Sequence, residues 1–398
     1  MIPSIRQQYN QSFTEEKYNS YIRDLENVYP GQLDFRVAET PIFIPKDFKN
    51  KILETCEAIL DRVNTDEYRL QSDKAIPPHL NVPGQDAYPH CIAFDFGICQ
   101  NDKGELEPQL IEMQGFPSLL AWQAVLPEIS EKHFWHPEGF SVYLNGYNRE
   151  SYTELLRTVI IGDTPVENVI LLEIFPEKQK TRVDFSATEN LLGIRAVCLT
   201  SLIQEGKDLY YMRDGVKTKV ERIYNRLIFD DLFQQAPEVQ EKGKLMMQEL
   251  NVKWIPHPNW FYRLSKYTLP FIDHPHVPET RFLHQVKEFP TELENFVVKP
   301  LFSFAGQGVI IDVTKEAIEN IEDQENWILQ RKVQYAAAIE TPDEPAKAEV
   351  RIFYFWEPGK ERPVAANNLS RLSKGKMVGV RYNKDKTWVG GSFCYFEE

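Results

Sequence analysis

From Phe48 to Val63, apolar residues recur at Ile52, Leu53, Cys56, Ile59 and Leu60, the one-sided spacing of an amphipathic helix. The pattern then changes to short apolar runs. Cys91 to Cys99 and Pro108 to Met113 read as paired strands, joined by Asn101-Asp102-Lys103-Gly104, whose residues tolerate positive φ. Ser118 is placed to cap a helix running to about Glu131. Further on, Val169–Ile174, Ala196–Leu202, Leu209–Met212 and Arg222–Ile228 read as strands, with a helix over Thr188–Gly193 that Gly193 ends. That spacing predicts a small α/β unit with a partly parallel sheet. Beyond Trp254 the chain reads mostly as strands, with helices near Lys266–Ile272 and Thr314–Asp323 and a mobile polar loop at Glu340–Pro345.

At 398 residues the chain is too long for one ordinary core. We divide it at 1–150, 151–245 and 246–398. No apolar run reaches membrane-spanning length, and Met1–Asn10 lacks the apolar core of a secretory signal. The five cysteines are scattered and form no CxxC pair, as expected of reduced thiols in a cytoplasmic protein. A net charge of −14 argues against a nucleic-acid or anionic-membrane surface, so a polyanionic ligand needs a locally basic cleft.

Two regions carry candidate chemistry. In the first, Asp95 interrupts the apolar run Phe94-Asp95-Phe96-Gly97, and Glu112 and Gln114 stand two apart on the next strand. Residues two apart share a face, and strand pairing allows Asp95 to join them. Two carboxylates and an amide oxygen form a hard ligand set suited to magnesium. The alternative is a strand-end acid beside a solvent-facing one. In the second region, Lys299 sits in Phe296-Val297-Val298-Lys299-Pro300. After it comes the small-residue loop Ser303-Phe304-Ala305-Gly306-Gln307-Gly308, then Val309-Ile310-Ile311. This predicts strand, loop and strand, with backbone N–H groups for phosphate and a lysine to neutralise it. Trp327 to Val333, with Gln330, Lys332 and Val333 at its polar end, is suited to an adenine edge or is an ordinary sheet strand. Arg351 enters an apolar strand, and Arg371 follows on the next. Both are forked donors for a phosphoryl group or carboxylate, with a surface ion pair the alternative, above all for Arg371.

The order of these motifs resembles the ATP-grasp fold of glutathione-synthetase-type ligases, an α/β (α+β) architecture. The residues carrying the resemblance are Lys266 in Arg263-Leu264-Ser265-Lys266-Tyr267, then Val277-Pro278-Glu279-Thr280, Lys299, the 303–308 loop, Gln330–Val333, Arg351, Arg371 and Gly390-Gly391. The metal-binding acids lie upstream at Asp95 and Glu112 instead of following the second arginine. That order is similar to the circularly permuted ATP-grasp proteins, including glutathionylspermidine synthetases, which carry a small α/β domain before the lysine. Tyr224-Asn225-Arg226 resembles a strand-end arginine motif in that domain. Gln114 stands where the family usually has Asn, and Phe304 and Ala305 where a glycine pair is common.

The resemblance implies an ATP-dependent carboxylate–amine ligase acting through an acyl phosphate. Lys266, Lys299 and Ser303–Gly308 would hold the phosphates, and Asp95, Glu112 and Gln114 a pair of magnesium ions. Arg351 would stabilise the transferring group, while Arg371 and Arg226 orient the carboxylate. The expected partners are small-molecule acids and amines. A regulatory nucleotide-binding module and an enzyme modifying a partner protein are the alternatives.

Overall fold

The computed structural model describes residues 1–303, 308–375, 378 and 383–398. Its central sheet has five antiparallel strands in the order Gly390–Ser392, Val364–Ser373, Lys347–Phe355, Cys91–Gln100, Leu106–Gln114. The expected N-terminal strand pair is therefore continued by strands from the far end of the chain. Along Cys91–Gln100 every residue but the last is buried. Ile92, Phe94, Phe96 and Ile98 point into one core, with Ile52, Cys56, Ile59 and Leu60 of the helix Lys46–Val63. Cys91 and Ala93 point into another, with Phe353, Phe355, Tyr152 and Leu156. On that second face the apolar residues Ala93 and Phe353 are followed by Asp95 and Arg351, a register pair of opposite charge.

A second sheet is parallel, in the order Lys253–Ile255, Arg222–Asn225, Val169–Glu173, Arg195–Cys198. The helix Arg182–Leu192 crosses between two of its strands and ends at Gly193, whose φ is 78°. Two expectations change here. The strand predicted over Ala196–Leu202 stops at Cys198 and passes into a 3-10 turn, Leu199–Ser201. Leu209–Met212 belongs to a separate antiparallel sheet of Ile203–Glu205, Asp208–Arg213 and Val216–Val220. The turns at Gly206 and at Asp214-Gly215, all with positive φ, are too short for the crossover that parallel pairing needs.

The predicted cap at Ser118 is also corrected. The helix is Trp122–Ser130 and no side chain within it caps the start. The buried carboxylate of Asp184 takes that role, accepting from the backbone N–H of Leu119 at 3.1 Å and of Trp122 at 2.9 Å. Leu119 is held with φ at 69° in the process.

A third sheet carries the lysine strand, in the order Thr280–Phe282, Trp327–Arg331, Phe296–Pro300. The returning segment Val309–Ile311 makes a single bridge, Val298 to Ile310, and not a full strand. Phe304, Ala305, Gly306 and Gln307 lie outside the described residues. All five cysteines are free, and four are buried. Among the described residues no helix is long and apolar enough to cross a membrane.

Candidate functional site

Lys266 opens a 3-10 helix, Lys266–Phe271, that the sequence caps itself: Ser265 Oγ accepts from the Tyr267 N–H, and Thr268 Oγ1 from the Ser265 N–H. The turn directs Lys266 Nζ to the Ser303 carbonyl at 3.0 Å, with Glu112 Oε2 4.0 Å away. Lys299 comes from the neighbouring sheet. Its Nζ donates to Gln330 Oε1 at 2.6 Å and lies 3.5 Å from the Ile111 carbonyl. Gln330 is fixed in turn by donating to Thr280 Oγ1 at 3.0 Å. Burial lowers the pKa of both lysines, with Glu112 working against the shift; Lys299 is pushed down to about 8, helped by the nearby Lys266 charge. Two ammonium groups and one carboxylate thus meet where the N-terminal hairpin touches the lysine sheet.

On the central sheet, Asp95 pairs in register with Arg351 on one side and Glu112 on the other, and Ala93 pairs with Gln114. Arg351 reaches Asp95 with two parallel bonds, Nε to Oδ1 at 2.5 Å and Nη2 to Oδ2 at 2.6 Å. Arg371 adds a third at 3.1 Å and also meets Glu349 Oε2 at 2.8 Å. Glu349 in turn accepts from the Tyr335 hydroxyl at 2.5 Å. Asp95 is 1% exposed and Arg351 8%. Desolvation raises the Asp95 pKa, but the two arginines overcome it and hold the group below the usual carboxylate range. For Glu349 desolvation wins and its pKa rises despite Arg371. Desolvation opposes the charge on Arg371, and Glu349, Asp95 and Glu112 more than offset it.

Glu349 and Tyr335 were not singled out from the sequence. The signal was present for Glu349, which stands two residues before Arg351 in the same apolar strand and so on the same face. Tyr335 had no such signal. Its ring lies where Gly97 lacks a side chain: a Cβ on Gly97 would stand 2.9 Å from it.

The metal-ligand set divides in two. Glu112 retains 28% of its side-chain exposure, and Gln114 Nε2 donates to its Oε1 at 2.6 Å. That bond turns the Gln114 amide so that its oxygen is its remaining polar atom. These two oxygen donors are of the hard type that could hold magnesium. Asp95 is engaged by guanidinium groups on both oxygens. No group of three or more His, Cys, Asp or Glu residues arranged for a metal occurs among the described residues.

The remaining candidates are dispersed around this centre. Arg226 donates to the Pro117 carbonyl at 2.8 Å and lies over the Phe116 ring, just beyond Gln114. Ser303 Oγ is buried and has no hydrogen-bond partner among the described residues. Gly308 has φ of 73° and packs so that a Cβ would meet Pro300 at 3.1 Å. Lys332 donates to the Glu294 carbonyl at 2.6 Å, and Val333 is half-buried just past the strand.

Comparison with protein-family models finds no match, and neither does comparison with curated proteins. Among solved structures the chain is similar to a glutathione synthetase like-effector from Globodera pallida, in its apoform. The likeness has a TM-score of 0.57 at 9% identity and covers 97% of this chain and 98% of that one. The chain therefore has a glutathione synthetase-like fold, built as a mixed α/β structure of several sheets.

Proposed function

We propose that this chain is an ATP-dependent carboxylate–amine ligase with an ATP-grasp site in circularly permuted order, working in the cytosol on small-molecule acids and amines. The observation that carries the reading is the meeting of Glu112 with Lys266 and Lys299 beside the Arg351–Asp95 pair. Acids from residues 95–114 and cations from residues 266–371 stand together as a triphosphate and its counter-ion require. The fold shared with a glutathione synthetase-like protein supports it.

In this reading Lys266 and Lys299 neutralise the non-transferred phosphates, and the small-residue sequence Ser303–Gly308 is the candidate source of backbone N–H groups for them. Gln330, Lys332 and Val333 border the base. Glu112 and Gln114 would hold magnesium, which supplies charge neutralisation to the β and γ phosphates when bound. The γ-phosphoryl group passes to a substrate carboxylate oxygen and ADP leaves. The amine then attacks the acyl carbon, and phosphate departs as the amide forms. Arg351 and Arg371 present N–H groups to the transferring phosphoryl, where preorganised donors are worth most. Asp95 keeps those forks oriented and enters a metal shell only if an arginine yields an oxygen. Arg226, fixed to Pro117, faces the acid.

The test is ADP release with magnesium and ATP over a panel of amino acids, peptides, dicarboxylates and amines. Release that requires both an acid and an amine supports the ligase. A second reading, a nucleotide-binding regulator without turnover, is favoured by the engagement of both Asp95 oxygens with arginines. ATP binding with no ADP release across the panel would select it.

A further inference from the structure

Behind the Lys266 turn lies an open cavity of about 640 Å³, within the size range of small-molecule sites. Its walls include Asp73, Asn81, Gln85, Asn259 and Arg263, none of which has a part in the proposed ligase chemistry. We propose that this cavity is a second binding site, for a small zwitterion such as a free amino acid or short peptide.

The argument begins at Asn259, which is 2% exposed. The two N–H groups of its Nδ2 are shared among Asn81 Oδ1 at 2.8 Å, Gln85 Oε1 at 3.0 Å and the Val82 carbonyl at 3.1 Å, while its Oδ1 accepts from the Val82 N–H at 3.0 Å. These bonds hold the loop in place and set the amide orientations of Asn81 and Gln85. With both oxygens turned to Asn259, each presents its NH2 group as a donor. Arg263, itself 7% exposed, spends Nε on Ser72 Oγ and Nη2 on the Arg69 carbonyl and Asp73 Oδ1. Nη1 takes part in none of these bonds. The NH2 groups of Asn81 and Gln85 and Nη1 of Arg263 belong to residues that line one cavity, a donor set that suits a carboxylate. Asp73 keeps Oδ2 outside its bond to Arg263 and its side chain is 60% exposed, which suits an ammonium group beside that carboxylate.

The site is linked to the catalytic side by backbone. Arg263 precedes Lys266 by three residues, and the Trp260 carbonyl would meet a Cβ on Gly115 at 2.5 Å, one residue past Gln114. An occupant of the cavity would bear on the segment that carries the phosphate lysine.

The test is thermal unfolding of the full chain, without nucleotide, with the common amino acids and with glycylglycine as probes. Leaving nucleotide out makes the outcome independent of the ligase reading. The expected result is a concentration-dependent rise in Tm with at least one probe. The rise should vanish with its N-acetyl or C-amide form and fall at least tenfold in apparent affinity in Asp73→Asn. Asp73 is exposed enough for that variant to fold, and Asn81→Leu, expected to lower the apparent affinity as well, gives an independent check. No shift with any probe, equal shifts with the capped forms, or an unchanged shift in both Asp73→Asn and Asn81→Leu would overturn the proposal.

Discussion

Asp95 and Arg351 lie 256 residues apart in sequence and directly opposite in register on neighbouring strands, joined by two bonds of 2.5 and 2.6 Å. The pair is buried, so its charges have little water to fall back on. Its attraction therefore competes with a large desolvation cost, and its main effect is to fix geometry. The same carboxylate holds Arg371, which Glu349 shares. One acid therefore aligns two guanidinium groups beside Glu112.

Removing one member should be costly. Asp95→Ala leaves Arg351 buried without its carboxylate, and we expect a loss of about 3–5 kcal/mol of stability. Replacing both, as Asp95→Leu with Arg351→Met, should cost far less than Asp95→Ala alone. Urea unfolding of the two variants compares them; equal losses would mean the pair is not an interacting unit.

Glu112→Gln should reduce turnover about a hundredfold while leaving ATP affinity close to that of the parent. The change keeps an oxygen and removes a negative charge from the proposed magnesium site. Lys299→Ala should act the other way and weaken ATP binding itself. ATP affinity and ADP release, measured side by side for both variants, separate the roles.

The lowered pKa of Lys299 gives a pH dependence. In the free protein Lys299 loses its proton near pH 8, so ATP affinity should fall as pH rises from 7 to 9. Lys299→Arg should flatten that decline, because arginine stays charged. The effect on stability has the opposite sign. The unfolded lysine holds its proton up to its ordinary value of 10.5, so between about 8 and 10.5 the unfolded state binds more protons and stability rises with pH. Nucleotide titrations and denaturant curves across this range check both slopes.

Asp184→Ala should loosen the segment after Gln114. It removes the acceptor for the Leu119 and Trp122 N–H groups in a buried setting, a loss of about 1–3 kcal/mol. Hydrogen exchange at Leu119 and Trp122 should accelerate beyond any global change in stability.

Local pattern carried much of this molecule in the sequence. The helix Lys46–Val63, the strands at Asp95, Glu112, Lys299 and Arg351, and the glycine stop at Gly193 all follow from apolar period and backbone preference, which act over a few residues. A charge inside an apolar strand was also visible, because isolated burial is too costly to be accidental. The hairpin of Cys91–Gln100 with Leu106–Gln114 was legible from its turn, but the sequence could not say which strands from the far end of the chain lie beside it. The partnership of Asp95 with Arg351 depends on sheet order, set by how the faces of the central sheet are covered by helices from distant segments. The same holds for Asp184, whose carboxylate caps a helix 62 residues away where Ser118 was the local candidate. Side-chain chemistry announces that a charge needs a partner, but only packing brings the partner within 3 Å.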